Sequence, residues 1–219
     1  SSLVGVHSQN GANQISGVHT WGLATKKGGV GIIIEKAGKV VDSYLDFCPL
    51  VIVDPASVIV TNNLFLAQAN LVIQMEQKTK VTGLTISNNR WASETYSNDT
   101  IIVRGIANAV EDTTIEANIA GSYGAGKLSV KSTRATRTVA IPANSTTVQI
   151  DFSGDLLFPT VAPTEVFCSV QSWVAIAHTV HPFQKDTPCI LHVAFSAALK
   201  QAGQLTCTVD QSTRTYAAH

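Results

Sequence analysis

Hydrophobic and polar positions alternate in short runs along most of the chain. Between Thr147 and Phe152 the alternation is strict, which is typical of a strand with one buried face. Gly, Pro, Asn and Asp separate the runs, as turn residues do. The runs predict strands at Val30–Glu35, Val40–Phe47, Val51–Val53, Ser57–Thr61, Leu64–Gln74, Val81–Ser87, Thr100–Ile106, Thr113–Ile119, Lys127–Val130, Thr136–Ile141, Thr146–Phe152, Val166–Val180, Cys189–Phe195 and Leu205–Val209.

This succession of strands predicts an all-β fold, an antiparallel β-sandwich of the jelly-roll kind. The best helical candidate is Ala194–Gln201, whose Ala-rich pattern would equally suit the end of a hairpin. Residues Pro55–Val72 can be laid over Pro163–Val180 without a gap, with Pro, Val, an aromatic residue, two Ala and a final Val coinciding. The overlay allows two pseudo-repeated β halves, and chance similarity of strand patterns is the favoured alternative.

The start of the chain differs in composition from the rest. Residues 1–29 are rich in Gly, Ser, Asn and Gln, which predicts an N-terminal arm. The strand pattern divides the rest into a first β half, residues 30–126, and a second β half, residues 127–219. One continuous β domain is the alternative, because all-β domains of about 200 residues or more are common.

Charge is low and balanced. The 15 Lys and Arg equal the 15 Asp and Glu, and charged residues make up 14% of the chain. Proteins that bind nucleic acid concentrate cations on one face or arm, so nucleic acid is not predicted as a partner. The longest apolar region, Leu50–Met75, is broken by Asp54-Pro55 and by Asn62-Asn63, so no membrane span is predicted.

The cysteines and sequons indicate export. An even number of cysteines without a C-x-x-C pair predicts two disulfides among Cys48, Cys168, Cys189 and Cys207. Pairing Cys189 with Cys207 and Cys48 with Cys168 is favoured, and free buried thiols are the alternative. The sequons at Asn98 and Asn144 predict glycosylation. Since the chain starts at Ser1 rather than Met, as a processed protein would, we expect a secreted, extracellular glycoprotein.

One aromatic loop has the composition of a ligand site. Trp91 stands among amides, hydroxyls and a guanidinium, a combination typical of sugar-binding loops, and Trp21 follows a similar polar lead. An aromatic residue that caps the edge of the core is the alternative, and for Trp91 the pattern favours it. The hypothesis assigns ligand binding to Trp21, Asn89, Arg90, Trp91 and Tyr96.

Two other motifs are weaker. Gly121–Lys127 has the spacing of a phosphate-binding loop, but Leu128 stands where Ser or Thr should bind magnesium, and a strand follows. His181, Asp186 and His192 are weak candidates for a metal site, and a structural role for the two histidines is favoured. We therefore expect no cofactor.

No catalytic motif is found, so the sequence predicts a protein that is not an enzyme. The predicted function is a secreted β-rich glycoprotein that assembles into a homo- or hetero-oligomer and acts as a carrier, storage or binding protein. Its ligand would be a sugar or an apolar small molecule. Two alternatives are a carbohydrate-binding lectin and a viral or phage coat protein.

Overall fold

A computed structural model describes residues 4–9, 11–21, 29–67, 69–92, 100–121, 130–172, 176–181 and 183–213. The chain divides into two compact units. Unit 1 comprises Ser1–Ser132 and Arg214–His219, and unit 2 comprises Thr133–Thr213. Within the described ranges no helix has the length and apolar character to cross a membrane.

Unit 1 consists of three sheets whose strands pair in parallel. Sheet 1 contains β1 Val4–Ser8, β2 Asn13–Ser16, β4 Val30–Val41, β6 Leu50–Thr61, β8 Leu71–Gln74, β10 Leu84–Ser87, β12 Ile101–Arg104 and β14 Thr114–Glu116. Sheet 2 contains β3 His19–Trp21, β5 Tyr44–Asp46, β7 Leu64–Leu66, β11 Arg90–Ala92 and β15 Ile119–Gly121. Sheet 3 contains β9 Lys80–Thr82 and β13 Ala109–Glu111.

The predicted antiparallel jelly roll is therefore wrong. The chain passes along sheet 1, turns into sheet 2 and returns, so that successive passages stack in register as coils of a parallel β-helix-like solenoid. Short strands separated by turns are common to both architectures, and strand patterning alone does not reveal which strands pair. In addition, β1, β2 and β3, in the segment predicted as an arm, pair with β4 and β5.

A polar ladder forms the corner between sheets 1 and 2. In four coils a residue with φ between 49° and 57° opens the corner, and the next residue is Ser43, Asn63, Asn89 or Asn118. Each Asn Oδ1 accepts a hydrogen bond of 3.0 Å from the backbone N–H of the ladder residue one coil earlier. The Asn amide groups also donate to backbone carbonyls of the preceding coil. The ladder thus satisfies polar groups that the corner would otherwise bury without partners.

Apolar side chains fill the interior of the coils. Val40, Val60 and Ile86 are fully buried at equivalent positions of sheet 1. On sheet 2, the rings of Phe65 and Trp91 stack with centroids 4.7 Å apart and planes inclined by 9°. This contact continues the stacking of the coils through their side chains.

Unit 2 has two antiparallel sheets. Sheet 4 contains β16 Arg134–Ile141, β21 Gly203–Asp210 and β18 Glu165–Gln171, in that spatial order. Sheet 5 contains β17 Thr147–Asp151, β20 Ile190–Phe195 and β19 His178–His181. Buried side chains from both sheets form one hydrophobic core.

The structure of unit 2 decides two alternatives that the sequence left open. The overlay of Pro55–Val72 on Pro163–Val180 does not mark a repeat, because the first segment lies in parallel coils and the second in antiparallel sheets. The candidate helix Ala194–Gln201 begins with the last two residues of β20 and continues without helical structure. Its small residues end a strand instead.

One disulfide is present among the described residues, and it joins Cys168 to Cys207. These cysteines are direct partners in the pairing of β18 with β21, so their side chains meet across two neighbouring strands. The favoured pairing of Cys189 with Cys207 and of Cys48 with Cys168 is therefore wrong. Cys48 and Cys189 are buried free thiols.

Candidate functional site

Two rows of side chains project from the outer surface of sheet 2. In β3, β7 and β11 the middle residue is buried and the first and third residues are more exposed, whereas in β5 the third residue, Asp46, is buried as well. The first row is His19, Tyr44, Leu64, Arg90 and Ile119. The second row is Trp21, Asp46, Leu66, Ala92 and Gly121. Together the rows define the sheet 2 outer face.

Aromatic rings gather at one end of this face. His19 contacts Tyr44 edge-on, with ring centroids 4.6 Å apart, and lies 5.6 Å from the ring of Trp21. Trp21 is 70% exposed. An indole and a phenol held by neighbouring rings offer an apolar surface with polar edges, which suits the faces and hydroxyl groups of a sugar.

Asp46 lies directly beside Trp21 in the second row and is 7% exposed. Its Oδ1 has no hydrogen-bond partner among the described residues. Burial of a carboxylate oxygen without a partner costs free energy, so such a group is a candidate for binding or catalysis.

Other carboxylates of unit 1 have partners. Glu35 pairs with His7 at 2.7 Å, and Glu111 pairs with Lys80 at 2.6 Å. Asp54 accepts hydrogen bonds from the backbone N–H groups of residues 76 to 78. These three carboxylates stabilise structure, and Asp46 differs from them in having a buried oxygen without a partner among the described residues.

The charge of Asp46 influences its surroundings. Burial raises the pKa of the Cys48 thiol, and the negative charge of Asp46 raises it further. Cys48 therefore stays a neutral thiol near neutral pH, and it leaves the carboxylate without a competing negative charge. The local chemistry suits hydrogen bonding or proton transfer by Asp46.

Arg90 supplies a positive charge on the same face. It is exposed in the first row, two strands from Tyr44, a separation of about 10 Å at the usual spacing between strands. A guanidinium can bind a carboxylate through two parallel hydrogen bonds. The sheet 2 outer face thus combines aromatic rings, one unsatisfied carboxylate and one cation.

The predicted sugar-binding residues are distributed differently from the expectation. Trp21 and Arg90 are exposed on this face, as a ligand site requires. Trp91 is fully buried against Phe65, and Asn89 is a member of the corner ladder, so neither offers a surface to a ligand. Both side chains are buried because the coils stack on each other. The polar residues on either side of Trp91 gave no sign of this burial in the sequence. Tyr96 lies outside the described residues.

The predicted metal candidates are only partly brought together. His181 and His192 are direct partners in sheet 5, and both line a cavity of about 290 Å³ with Gln149 and Gln184. Asp186 is exposed in the following loop and does not line that cavity. Among the described side chains, no group of three or more His, Cys, Asp and Glu could hold a metal ion.

One of the two sequons lies within the described residues. Asn144 is exposed in the turn between β16 and β17, where a glycan would be tolerated. Asn98 lies outside the described residues. Glycosylation at both asparagines remains a prediction.

Sequence reasoning missed His19, Tyr44 and Asp46. A lone Asp between apolar residues matches no motif, and neither His19 nor Tyr44 has a distinctive neighbourhood. The signal that could have found them is the corner repeat, an apolar residue two positions before a left-handed residue. Ser or Asn follows the left-handed residue in four coils, and Val18 follows Gly17 in the coil of Trp21. Aligning on that repeat places Asp46 beside Trp21.

The coils, the ladder and the outer-face cluster define unit 1 as a parallel β-helix-like structure with a surface suited to sugars. Protein-family models give no match to the sequence. The chain is similar to polygalacturonase QRT3 of Arabidopsis thaliana, with 28% identity over 166 residues. The match covers 73% of this chain and 33% of that protein, so the chain spans about a third of the length of this relative.

This likeness corrects the predicted function. The expectation of a protein without enzymatic activity, a carrier, storage protein or lectin, is wrong, because the relative is named as a polygalacturonase. The alternative of a viral or phage coat protein is wrong for the same reason. The Cys168–Cys207 disulfide fits export to an oxidising compartment. Assembly into an oligomer remains a prediction.

Proposed function

We propose that this chain takes part in the hydrolysis of polygalacturonate, and that the sheet 2 outer face contacts the acidic sugar chain. The observation that carries the proposal is the 28% identity to a polygalacturonase over 166 residues. The aromatic cluster and Arg90 support it, because a galacturonate residue has both an apolar ring face and a carboxylate. The proposal includes secretion to the extracellular space, which the disulfide supports.

Asp46 is assigned the proton-transfer role. Glycoside hydrolysis uses a pair of carboxyl groups, one of which protonates the leaving oxygen. Asp46 is buried, keeps one oxygen without a partner among the described residues, and lies beside the exposed Trp21. It is the one carboxylate in the two described rows, so the second member of the pair must come from outside these rows.

The remaining residues bind and orient the substrate. Trp21 and Tyr44 pack against sugar rings and exclude water, which strengthens hydrogen bonds to Asp46. Arg90 holds a substrate carboxylate and fixes the register of the chain along the face. This division of roles predicts that substitution of Trp21 raises KM, while substitution of Asp46 lowers kcat.

The test is the release of reducing ends from polygalacturonate by the wild type and by Asp46→Asn. We expect kcat to fall about 100-fold or more, because a general acid or base contributes about 10²–10⁴ to a rate. Asp42→Asn is the matched control, because Asp42 is exposed four positions earlier at φ 49°, a conformation that Asn adopts readily. The control should hydrolyse like the wild type.

The proposal is contradicted if Asp46→Asn keeps wild-type kcat, or if Asp42→Asn loses as much activity. Thermal unfolding of each variant separates the two roles of a buried carboxylate. Since Asn has the shape of Asp without its charge, Asp46→Asn should unfold at or above the wild-type temperature. A large drop in that temperature would assign Asp46 to structure instead.

A further inference from the structure

The outer surface of sheet 4 in unit 2 has an unusual composition. Two pairs of threonines face each other across β16 and β21, Thr136 with Thr208 and Thr138 with Thr206. In both pairs the Oγ1 atoms are 2.8 Å apart. Across β21, Thr208 is the partner of Phe167 and Thr206 is the partner of Ser169. These six residues define the sheet 4 outer face.

Phe167 is the feature of this face that needs an explanation. Its side chain is 67% exposed, although a phenyl ring normally contributes to a core or an interface. The other five members are hydroxyl residues, so the ring stands on a polar surface rather than in an apolar patch. A ring surrounded by hydroxyl groups resembles the chemistry of a sugar site more closely than that of a protein interface.

The hydroxyl pairs are suited to the same kind of ligand. In each pair one Oγ1 donates to the other, and each oxygen keeps lone pairs that can accept further hydrogen bonds. A sugar hydroxyl both donates and accepts, so it can bind to either member without breaking the pair. The pairs also hold the threonine rotamers in place before a ligand arrives, which lowers the entropy cost of binding.

A groove continues the face at one end. The next row is Ala140, Gln204 and Gln171, and these residues line a cavity of about 530 Å³ with Ser172, Ala202 and Gly203. Two glutamine amides therefore border the groove, and each offers donors and an acceptor. From Thr208 to Gln204 the rows extend about 14 Å at the usual rise of a strand, which is longer than a single sugar ring.

Charge distinguishes among polysaccharides. The six members of the face and the three residues of the next row are uncharged. Charged residues occur at the opposite end, where Arg134, Asp210 and Glu165 are partners. With two acidic residues and one basic residue, that end offers no excess positive charge to a polyuronate.

We propose that the sheet 4 outer face binds an uncharged polysaccharide and so holds the chain beside its acidic substrate. The choice of a polysaccharide rests on the proposed function, and the choice of an uncharged one rests on the composition of the face. Phe167 packs against a ring, the threonine pairs bind hydroxyl groups, and the glutamines of the groove bind the continuing chain. Methyl-esterified homogalacturonan, whose carboxylates are neutralised, has this chemistry, and so does a neutral β-glucan.

The test is affinity electrophoresis of the full chain in gels that contain methyl-esterified homogalacturonan, a neutral β-glucan or de-esterified polygalacturonate. We expect at least one neutral polymer to retard the wild type. Phe167→Ala should weaken that retardation about three- to tenfold, the range that one aromatic contact contributes. Thr206→Val, which keeps the β-branched shape, should weaken it about threefold. Ile106→Ala is the matched control, because Ile106 is 63% exposed in unit 1, and it should migrate like the wild type.

Asp46→Asn separates this inference from the proposed function, because it should bind the neutral polymers normally even where it no longer hydrolyses polygalacturonate. The inference is overturned if no neutral polymer retards the wild type, or if Phe167→Ala and Thr206→Val are retarded as strongly as the wild type. Retardation by the anionic polymer alone would also overturn it. Sedimentation velocity tests a competing role for the face. If the wild type self-associates and Phe167→Ala abolishes the association, the face binds a second copy of the chain and the inference is overturned.

Discussion

The two units are both built from short strands, yet different devices stabilise them. Unit 1 stacks parallel coils and satisfies backbone groups at its corners with a ladder that includes the buried side chains of Asn63 and Asn89. Unit 2 pairs its strands antiparallel and links two of them covalently through Cys168 and Cys207. The difference teaches that buried polar side chains can be regular structural elements where backbone groups at a corner lack partners.

The units also differ in how they present polar groups to the outside. The sheet 2 outer face of unit 1 has an unsatisfied carboxylate and a cation beside aromatic rings. The sheet 4 outer face of unit 2 has paired hydroxyls and one exposed phenyl ring. The first arrangement suits chemistry on an acidic sugar, and the second suits adhesion to a neutral one.

The largest expected effect concerns the covalent link of unit 2. A disulfide between residues 39 positions apart constrains the unfolded chain, and its removal should cost about 4 kcal/mol of unfolding free energy. We expect the double substitution Cys168→Ala and Cys207→Ala to lose this amount in denaturant unfolding. Hydrogen exchange should show faster exchange in β16, β18 and β21, with the coils of unit 1 unchanged.

Reducing agent provides the control for that prediction. It should destabilise the wild type by the same amount and leave the double variant unaffected, because Cys48 and Cys189 are already free thiols. Equal loss of protection in β4 and β6 would contradict the view that the disulfide acts on unit 2.

A smaller effect is expected for the corner ladder of unit 1. Asn89→Ala removes the acceptor of the Asn63 N–H and the donor to the Val60 carbonyl, both of which are buried. Leaving these groups unpaired should cost about 3 kcal/mol. The measurement is denaturant unfolding, with hydrogen exchange to place the loss in β6, β7, β10 and β11.

The neighbouring Asn88 supplies the control for the ladder. Asn88 is exposed at φ 55°, a conformation that glycine adopts without strain, so Asn88→Gly should change stability little. Equally small losses of unfolding free energy for Asn89→Ala and Asn88→Gly would contradict a stabilising role of the ladder.

The smallest effect concerns Asp54. Burial raises its pKa, but three backbone N–H groups and Lys78 outweigh burial and hold the pKa of this carboxyl below the usual value of 3.8. The carboxylate therefore stabilises the fold above about pH 4, and this contribution is lost as the pH falls below 3.8 through the lower folded pKa. We expect Asp54→Asn to cost about 2 kcal/mol at pH 7.

The pH dependence checks this assignment. The difference in unfolding free energy between the wild type and Asp54→Asn should narrow as the pH falls below about 4. Asp42→Asn, which removes an exposed carboxylate instead of a buried one, is the control for the loss of a charge. A gap between the wild type and Asp54→Asn that stays constant down to pH 2 would show that protonation of Asp54 is not involved.

Most of the strand content could be predicted from the sequence, and the pairing of strands could not. The predicted runs Leu205–Val209 and Thr136–Ile141 lie within β21 and β16. In unit 1 the separations between successive ladder residues are 20, 26 and 29, so no fixed period marks the coils. The irregular period hid the parallel stacking.

The candidate site was predictable only in part, for a related reason. Trp21 and Arg90 were found by composition and are exposed, whereas Trp91 has the same polar flanks and is buried. The amide of Asn89 donates to the Val60 carbonyl and to the Asn118 side chain in neighbouring coils rather than to a ligand. The role proposed for Asp46 rests on its pairing with Trp21 across β3 and β5, which only the register of the strands reveals.

The most direct test of the proposed function is a crystal structure of the chain with a bound galacturonate oligomer. We expect a sugar ring against Trp21, a glycosidic oxygen within hydrogen-bond distance of Asp46, and a sugar carboxylate on Arg90. An oligomer bound elsewhere, with the sheet 2 outer face empty, would contradict the assignment of this face to the substrate.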